Sequence, residues 1–282
     1  MHRPIALFLV LCLWQSIQAE ETPLKQPWSY TKAMREVATR FRGREGVVLH
    51  IGDSITYASP YGQWPRAGSG RTEEDLAILD WMHLGADDDT DGWYLARTDL
   101  PEGRSYTAAG GLTMEQLLKG GRGSHPTLDK MLKQYQPQIA VLMLGTNDVS
   151  QGRKLHDYRR DAEQAVDAIL DSGCICILST IPPHPGNPKL SGEYNDALRK
   201  LAANRKLPLI DYEREILTRR PHDWNGTLLN ENDPHPSASS GDVNPASEPT
   251  AENLRSSGYL LRGWLSVKKI AEVKREVFDT ER

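Results

Sequence analysis

Strand-like and helix-like stretches alternate along this 282-residue chain, and that alternation limits the fold more than any other feature. Short strand-like runs fall at Val47–Ile51, Ser105–Ala109, Ile139–Leu144, Cys174–Ile181 and Leu207–Asp211. Helix-periodic stretches separate them at Thr113–Lys119, Leu128–Tyr135, Leu155–Leu170 and Glu193–Asn204. A last one runs from about Ser257 to Phe278, with Leu260, Leu261, Trp264, Leu265 and Ile270 on its buried side and charges on the exposed one. Parallel pairing follows from this pattern, because each strand is followed by a helical crossover before the next begins. The expectation is an α/β fold whose parallel sheet is covered by helices on both faces.

The first run ends in residues suited to chemistry. Val47-Val48-Leu49-His50-Ile51 stops at Gly52, where the backbone can turn sharply, and Asp53 and Ser54 follow. A serine carried by a strand end into a turn before a helix reaches the carboxyl edge of the sheet, where helix N–H groups favour negative charge. Three further blocks come in order: Ala109-Gly110-Gly111-Leu112-Thr113, Gly145-Thr146-Asn147-Asp148, and Asp233-Pro234-His235-Pro236-Ser237. Singly, each also fits an ordinary turn, a helix cap or a solvated surface histidine. Together they hold what acyl transfer needs. A hydroxyl requires a base to attack at neutral pH, and an imidazole is one. An asparagine amide and a glycine N–H, approached without a Cβ in the way, can meet an oxyanion.

In this order the blocks resemble those of the SGNH hydrolases, the GDSL esterase/lipase family, over about residues 46–265. The resemblance implies a three-layer α/β/α (flavodoxin-like) fold with a central, mostly parallel sheet of about five strands. It also implies a single SGNH-hydrolase-like domain over 20–282, with insertions near 57–103 and 237–255. Ser54 would be the nucleophile and His235 the base. The oxyanion hole would comprise the backbone N–H groups of Ser54 and Gly111 and the side-chain amide of Asn147. Neither a cofactor nor a metal is expected. One position departs from the family pattern: its aspartate stands three residues before the histidine, and here Asn232 occupies that place. An amide can orient an imidazole but cannot stabilise imidazolium by charge. Asp233 is read as the substitute, with a Ser-His dyad helped by a backbone carbonyl as the alternative.

Among the other histidines, His222 beside Asp223 is a rival base, and His184 after Pro182-Pro183 lies where it would line the pocket. His50 reads as a core residue, and His83, His125 and His156 as solvated. Tyr57, Tyr61, Trp64, Trp81, Trp93 and Tyr94 in the first insertion are either a rim for a sugar or acyl chain, or local core. Asp87–Asp91 and Gly92 match the first half of a calcium loop, but Thr98 stands where a bidentate glutamate belongs, which favours a solvated acidic turn. Cys174 and Cys176 alternate with Ile175 on one strand face and read as buried free thiols. Asn225-Gly226-Thr227 is a glycosylation sequon that matters only in a eukaryotic secretory host.

Arg3, the apolar stretch Ile5–Trp14 and the site at Ile17-Gln18-Ala19 read as a signal peptide over 1–19, so a secreted or periplasmic protein is expected after cleavage near Ala19. That stretch is too short to span a bilayer. The formal net charge of −4 comes without a basic stripe, which argues against a polyanion-binding protein. The expected partner is therefore a small-molecule or carbohydrate ester, with no nucleic acid and no stable membrane insertion; the oligomeric state stays open. The leading reading is an exported serine esterase acting through an acyl-enzyme, above all a carbohydrate O-acetylesterase. The alternatives are a lipase or lysophospholipase-type acyl esterase and a non-catalytic carbohydrate-binding relative of the same fold. Phosphate-ester hydrolysis would need a metal cluster, and the carboxylates lack the spacing for one.

Overall fold

The computed structural model describes residues 21–86, 90–93 and 105–279. The expected leader 1–19, Asp87–Asp89, Tyr94 and Thr98 lie outside the described residues. Among the described residues, four strands, β1 (Val48–Gly52), β2 (Ile139–Met143), β3 (Ile175–Ser179) and β4 (Leu209–Ile210), pair in parallel in the order β1-β2-β3-β4. Every residue of β1, β2 and β3 is buried, which is why each reads as a continuous apolar run instead of an alternating one. Cys174 and Cys176 are buried free thiols.

The run at Ser105–Ala109 supplies only one parallel bridge, Gly52 to Ala108, on the free side of β1. Its backbone closes a tight turn, with Ser105 N–H donating to Ala108 O at 2.6 Å, and Thr107 Oγ1 spends its proton on His50 O. A turn of that kind leaves no length for a ladder. Still, Ala108 lies on one side of β1 and β2 on the other, so the chain changes direction across the sheet between them. The crevice at such a reversal is where open α/β sheets bind ligands.

Helices flank the sheet: α1 (Thr31–Ala38), α2 (Ser54–Tyr57), α3 (Gln63–Ala67), α4 (Glu73–Trp81), α5 (Met114–Lys119), α6 (Leu128–Tyr135), α7 (Thr146–Ser150), α8 (Leu155–Asp171), α9 (Pro188–Arg205), α10 (Tyr212–Arg219) and α11 (Gly258–Val273). Helix α9 begins at Pro188, ahead of the expected Glu193, because Asn187 caps it through Leu190 N–H and proline suits the first turn. Helix α11 gives way to a π turn at Lys274–Phe278.

The charged outer face expected of α11 is absent. Arg262 and Lys269 are buried: residues 57–81 of the first insertion lie against the helix, with Arg262 over the Tyr61 ring, and Lys269 lies by Tyr30 and Glu272. Gly263 sits against Tyr61 O and Pro65 Cδ, and Lys268 pairs with the buried Asp75 at 2.8 Å. Tyr61, Trp64 and Trp93 are core residues of this layer, so they do not form a substrate rim. The second insertion, 237–255, is a loop with one short 3₁₀ turn, and it touches the first through Ser69 N–H to Ala246 O at 2.9 Å.

At the far edge, β4 is covered by side chains. Leu209 N–H donates to Gln26 Oε1 at 2.8 Å, while Trp28 Nε1 and Gln26 Nε2 both donate to Leu207 O. Among the described residues, no helix is long and apolar enough to cross a membrane.

Candidate active site

β1 delivers the serine. Gly52 passes between β2 and the first turn of α2, where a Cβ would overlap Thr56 Oγ1 and lie 2.6 Å from Met143 O. Asp53 then caps α2, accepting from Ile55 N–H at 3.0 Å, and Ser54 stands at the first helical position. Burial pushes the Asp53 carboxyl up to about 6, against the pull of the Ile55 N–H and of the Arg262 guanidinium.

The Ser54 Oγ lies 2.8 Å from His235 Nε2, across 181 positions of sequence. On the other side of the ring, His235 Nδ1 meets Asp233 Oδ1 at 2.5 Å, and the same oxygen accepts the His235 backbone N–H at 2.9 Å. Burial would raise the Asp233 carboxyl, but these two bonds and the charge on the ring outweigh it and hold the group below the usual range. Asn232, at the family's usual aspartate position, has φ +58° and turns outward. Its backbone N–H donates to Asn225 Oδ1 at 2.8 Å, and Asn225 Nδ2 returns the contact. Asparagine tolerates this left-handed backbone better than most residues. The turn leaves Asp233 facing the imidazole.

Asn147 reaches the same crevice from the end of β2. Its Nδ2 donates to Asp53 Oδ2 at 3.0 Å and to Leu112 O at 3.2 Å. Gly111 lies in the adjoining loop with φ +74°, a conformation that favours glycine. Asp148 ties this loop to α7: its buried carboxylate accepts Met114 N–H at 3.0 Å and the Arg153 Nη1 at 3.0 Å. Arg153 is itself held by Asp161. The carboxyl ends of β1 and β2 and the loop before α11 thus bring Ser54, His235, Asp233 and Asn147 together, with the Gly111 loop joined to Asn147 through Leu112.

The family model for the GDSL-like lipase/acylhydrolase family matches residues 50–240. The chain belongs to this family. As a GDSL-like acylhydrolase it is an ester-hydrolysing serine hydrolase. Two solved structures share the fold at 15% identity. An acetyl esterase mutant with an acetate ion has a TM-score of 0.53, covering 82% of this chain and 98% of that one. A protein of the G-D-S-L lipolytic family from Desulfitobacterium hafniense DCB-2 has a TM-score of 0.50, covering 79% and 98%. No curated protein matches the chain.

Two residues of this GDSL-like acylhydrolase, His125 and Asp91, depart from the sequence expectations, and His50 meets them. His125 is buried where a solvated residue was expected, because the loop carrying it folds back through His125 N–H to Arg122 O. Asp91, read as part of a solvated turn, is also buried, and accepts from Arg66 at 3.1 Å and Gly85 N–H at 2.8 Å. His50 is a core residue bonded to Tyr61 OH at 2.7 Å, and His222 is exposed. His184 holds Ser150 Oγ at 2.9 Å. Ser150 gives its own proton to Thr146 O, so His184 Nε2 is the donor there.

Sequence reasoning passed over Arg262. Its Nη1 donates to Ile55 O at 2.6 Å and its Nη2 to Thr56 Oγ1 at 2.9 Å, clamping α2 from below. The guanidinium lies 3.8 Å over the Tyr61 ring. The signal was a single arginine inside the apolar run Tyr259–Leu265.

Proposed function

We propose that this protein is an exported carbohydrate O-acetylesterase in which Ser54 attacks the ester carbonyl and His235 takes the serine proton. The observation that carries this reading is the relay from Ser54 Oγ through His235 to Asp233, with spacings of 2.8 and 2.5 Å. As the Oγ–carbon bond forms, the proton passes to Nε2, and Asp233 stabilises the imidazolium through Nδ1–H. The carbonyl oxygen becomes an oxyanion that accepts from the Ser54 and Gly111 backbone N–H groups and from Asn147 Nδ2. Asn147 would supply the hydrogen now spent on Leu112 O, the longer of its two bonds. Collapse expels the alcohol, which takes the proton from Nε2. Water then repeats the sequence on the acyl-enzyme and releases the acid.

The open character of the site supports a hydrated substrate over a long acyl chain. The side chains of His235 and Asp233 are 39% and 46% exposed, and the neighbours described above are polar. The acetyl esterase of the same fold and the leader-like residues 1–19 agree with that choice.

Purified protein should react with a fluorophosphonate and lose that labelling in Ser54→Ala. Rates on acetyl, butyryl and long-chain nitrophenyl esters, together with acetate released from acetylated polysaccharide, test the substrate class. Equal rates across the three chain lengths, with no acetate released, would defeat it.

A further inference from the structure

Arg122 stands beside the glycine assigned above to the oxyanion hole. Its Nε donates to Gly110 O at 2.6 Å. Its guanidinium covers Gly111, with Cζ 2.9 Å from the position a Cβ would take there. Since a Cβ lies about 2.5 Å from its own nitrogen, the guanidinium carbon is at most about 5.4 Å from the Gly111 nitrogen. The residue is exposed, yet it forms no ion pair with any carboxylate among the described residues. In contrast, Arg153 is neutralised by Asp148 and Asp161.

The chain around Arg122 is shaped to bring it there. Gly120, Gly121 and Gly123 have φ of +82°, +96° and +56°, so three of the four residues in this turn adopt backbone that other residues avoid. Gly120 also ends α5, and fixing three glycines and a long charged side chain is entropically costly. One guanidinium edge is anchored on Gly110 O, and the Nη donors remain for a ligand. A guanidinium fork matches the paired oxygens of a carboxylate or sulfate.

We infer that Arg122 is a specificity residue that binds an anionic group on the ester substrate, a few bonds from the scissile carbonyl. The inference rests on the serine-esterase reading and on Gly111 as an oxyanion donor. The anion can belong to the acyl part, as in a dicarboxylic half-ester, or to the alcohol part, as in an O-acylated uronic acid. Both present the same chemistry to the fork.

Matched esters differing only in charge separate these cases. Mono-4-nitrophenyl succinate and its methyl ester probe the acyl side; 3-acetoxybenzoate and its methyl ester probe the alcohol side. In the wild type at least one acid should exceed its methyl ester by about tenfold in kcat/KM, mainly through KM, with the ratio shrinking in about 0.5 M NaCl as screening sets in. Arg122→Met should bring that ratio to about one, and Arg122→Lys should keep part of it. A wild type with no preference for either acid overturns the inference. So does a ratio that survives in Arg122→Met, or a variant that loses acid and methyl ester equally. Fluorophosphonate labelling of the wild type tests the underlying reading separately. A labelled enzyme without charge preference removes only Arg122, whereas an unlabelled one removes both.

Discussion

The Asn147 side chain donates a 3.0 Å hydrogen bond to the buried Asp53 carboxylate, so the turn after β2 is held by the residue that caps the helix bearing Ser54. Asp53→Asn keeps an acceptor for Ile55 N–H but turns an NH₂ towards the NH₂ of Asn147. Two donors then face each other, and Asn147 must swing. We expect kcat on an acetyl ester to fall about 10- to 100-fold with KM nearly constant. Unchanged turnover would separate Asp53 from oxyanion geometry.

The same carboxyl makes stability depend on pH. Burial raises its folded value to about 6. In the unfolded chain it returns to about 3.9, so the folded state binds this proton more tightly. The stabilising contribution is complete below about pH 4 and is lost as pH rises through about 6, on the order of 3 kcal/mol in all. Asp53→Asn should therefore show a smaller fall in Tm between about pH 5 and about pH 7 than the wild type. Parallel Tm curves for the two proteins would contradict this.

Asp233 and Asn232 are neighbours with opposite orientations, and substitution should separate them. Asp233→Asn removes the negative charge beside Nδ1 and is expected to lower kcat about 100- to 10,000-fold. Asn232→Asp, in an exposed left-handed turn bonded to Asn225, should stay within about threefold of the wild type. Steady-state rates on one acetyl ester compare both. If Asn232→Asp raised activity more than Asp233→Asn lowered it, the orienting role would move to position 232.

Arg262 should matter for stability as well as for the nucleophile. Arg262→Met leaves Ile55 O and Thr56 Oγ1 without their donor and removes the nearby cation that offsets Asp53. The cost should be about 2–4 kcal/mol in denaturant unfolding. Arg262→Lys should recover part of it. A loss below about 0.5 kcal/mol would mean that the clamp is idle.

Much of this arrangement was legible because its signals are local. Buried parallel strands are continuous apolar runs, so four of the five strand segments were readable, and Ser54 and Asn147 stand out where the first and third of those runs stop. Contacts between distant segments left weaker traces. Helix α11 has the composition of an amphipathic helix, but its second face is covered by the first insertion, and amphipathic periodicity cannot reveal a cover that comes from elsewhere. Near His235 the sequence left Asp233 set against a dyad helped by a backbone carbonyl; the left-handed turn at Asn232 aims Asp233 at the ring, and backbone conformation of this kind is barely encoded by one asparagine. Arg122 lay in a glycine-rich loop whose meeting with Gly110 is invisible to any local pattern.

The side-chain cover over β4 has a consequence for handling the protein. A terminal strand with open amides recruits strands from other molecules. Here Gln26 and Trp28 act as a stopper on that flank, occupying the Leu209 amide and the Leu207 carbonyl. A version of the chain trimmed past Trp28 would bare a sticky border and should self-associate, whatever the state of its catalytic centre.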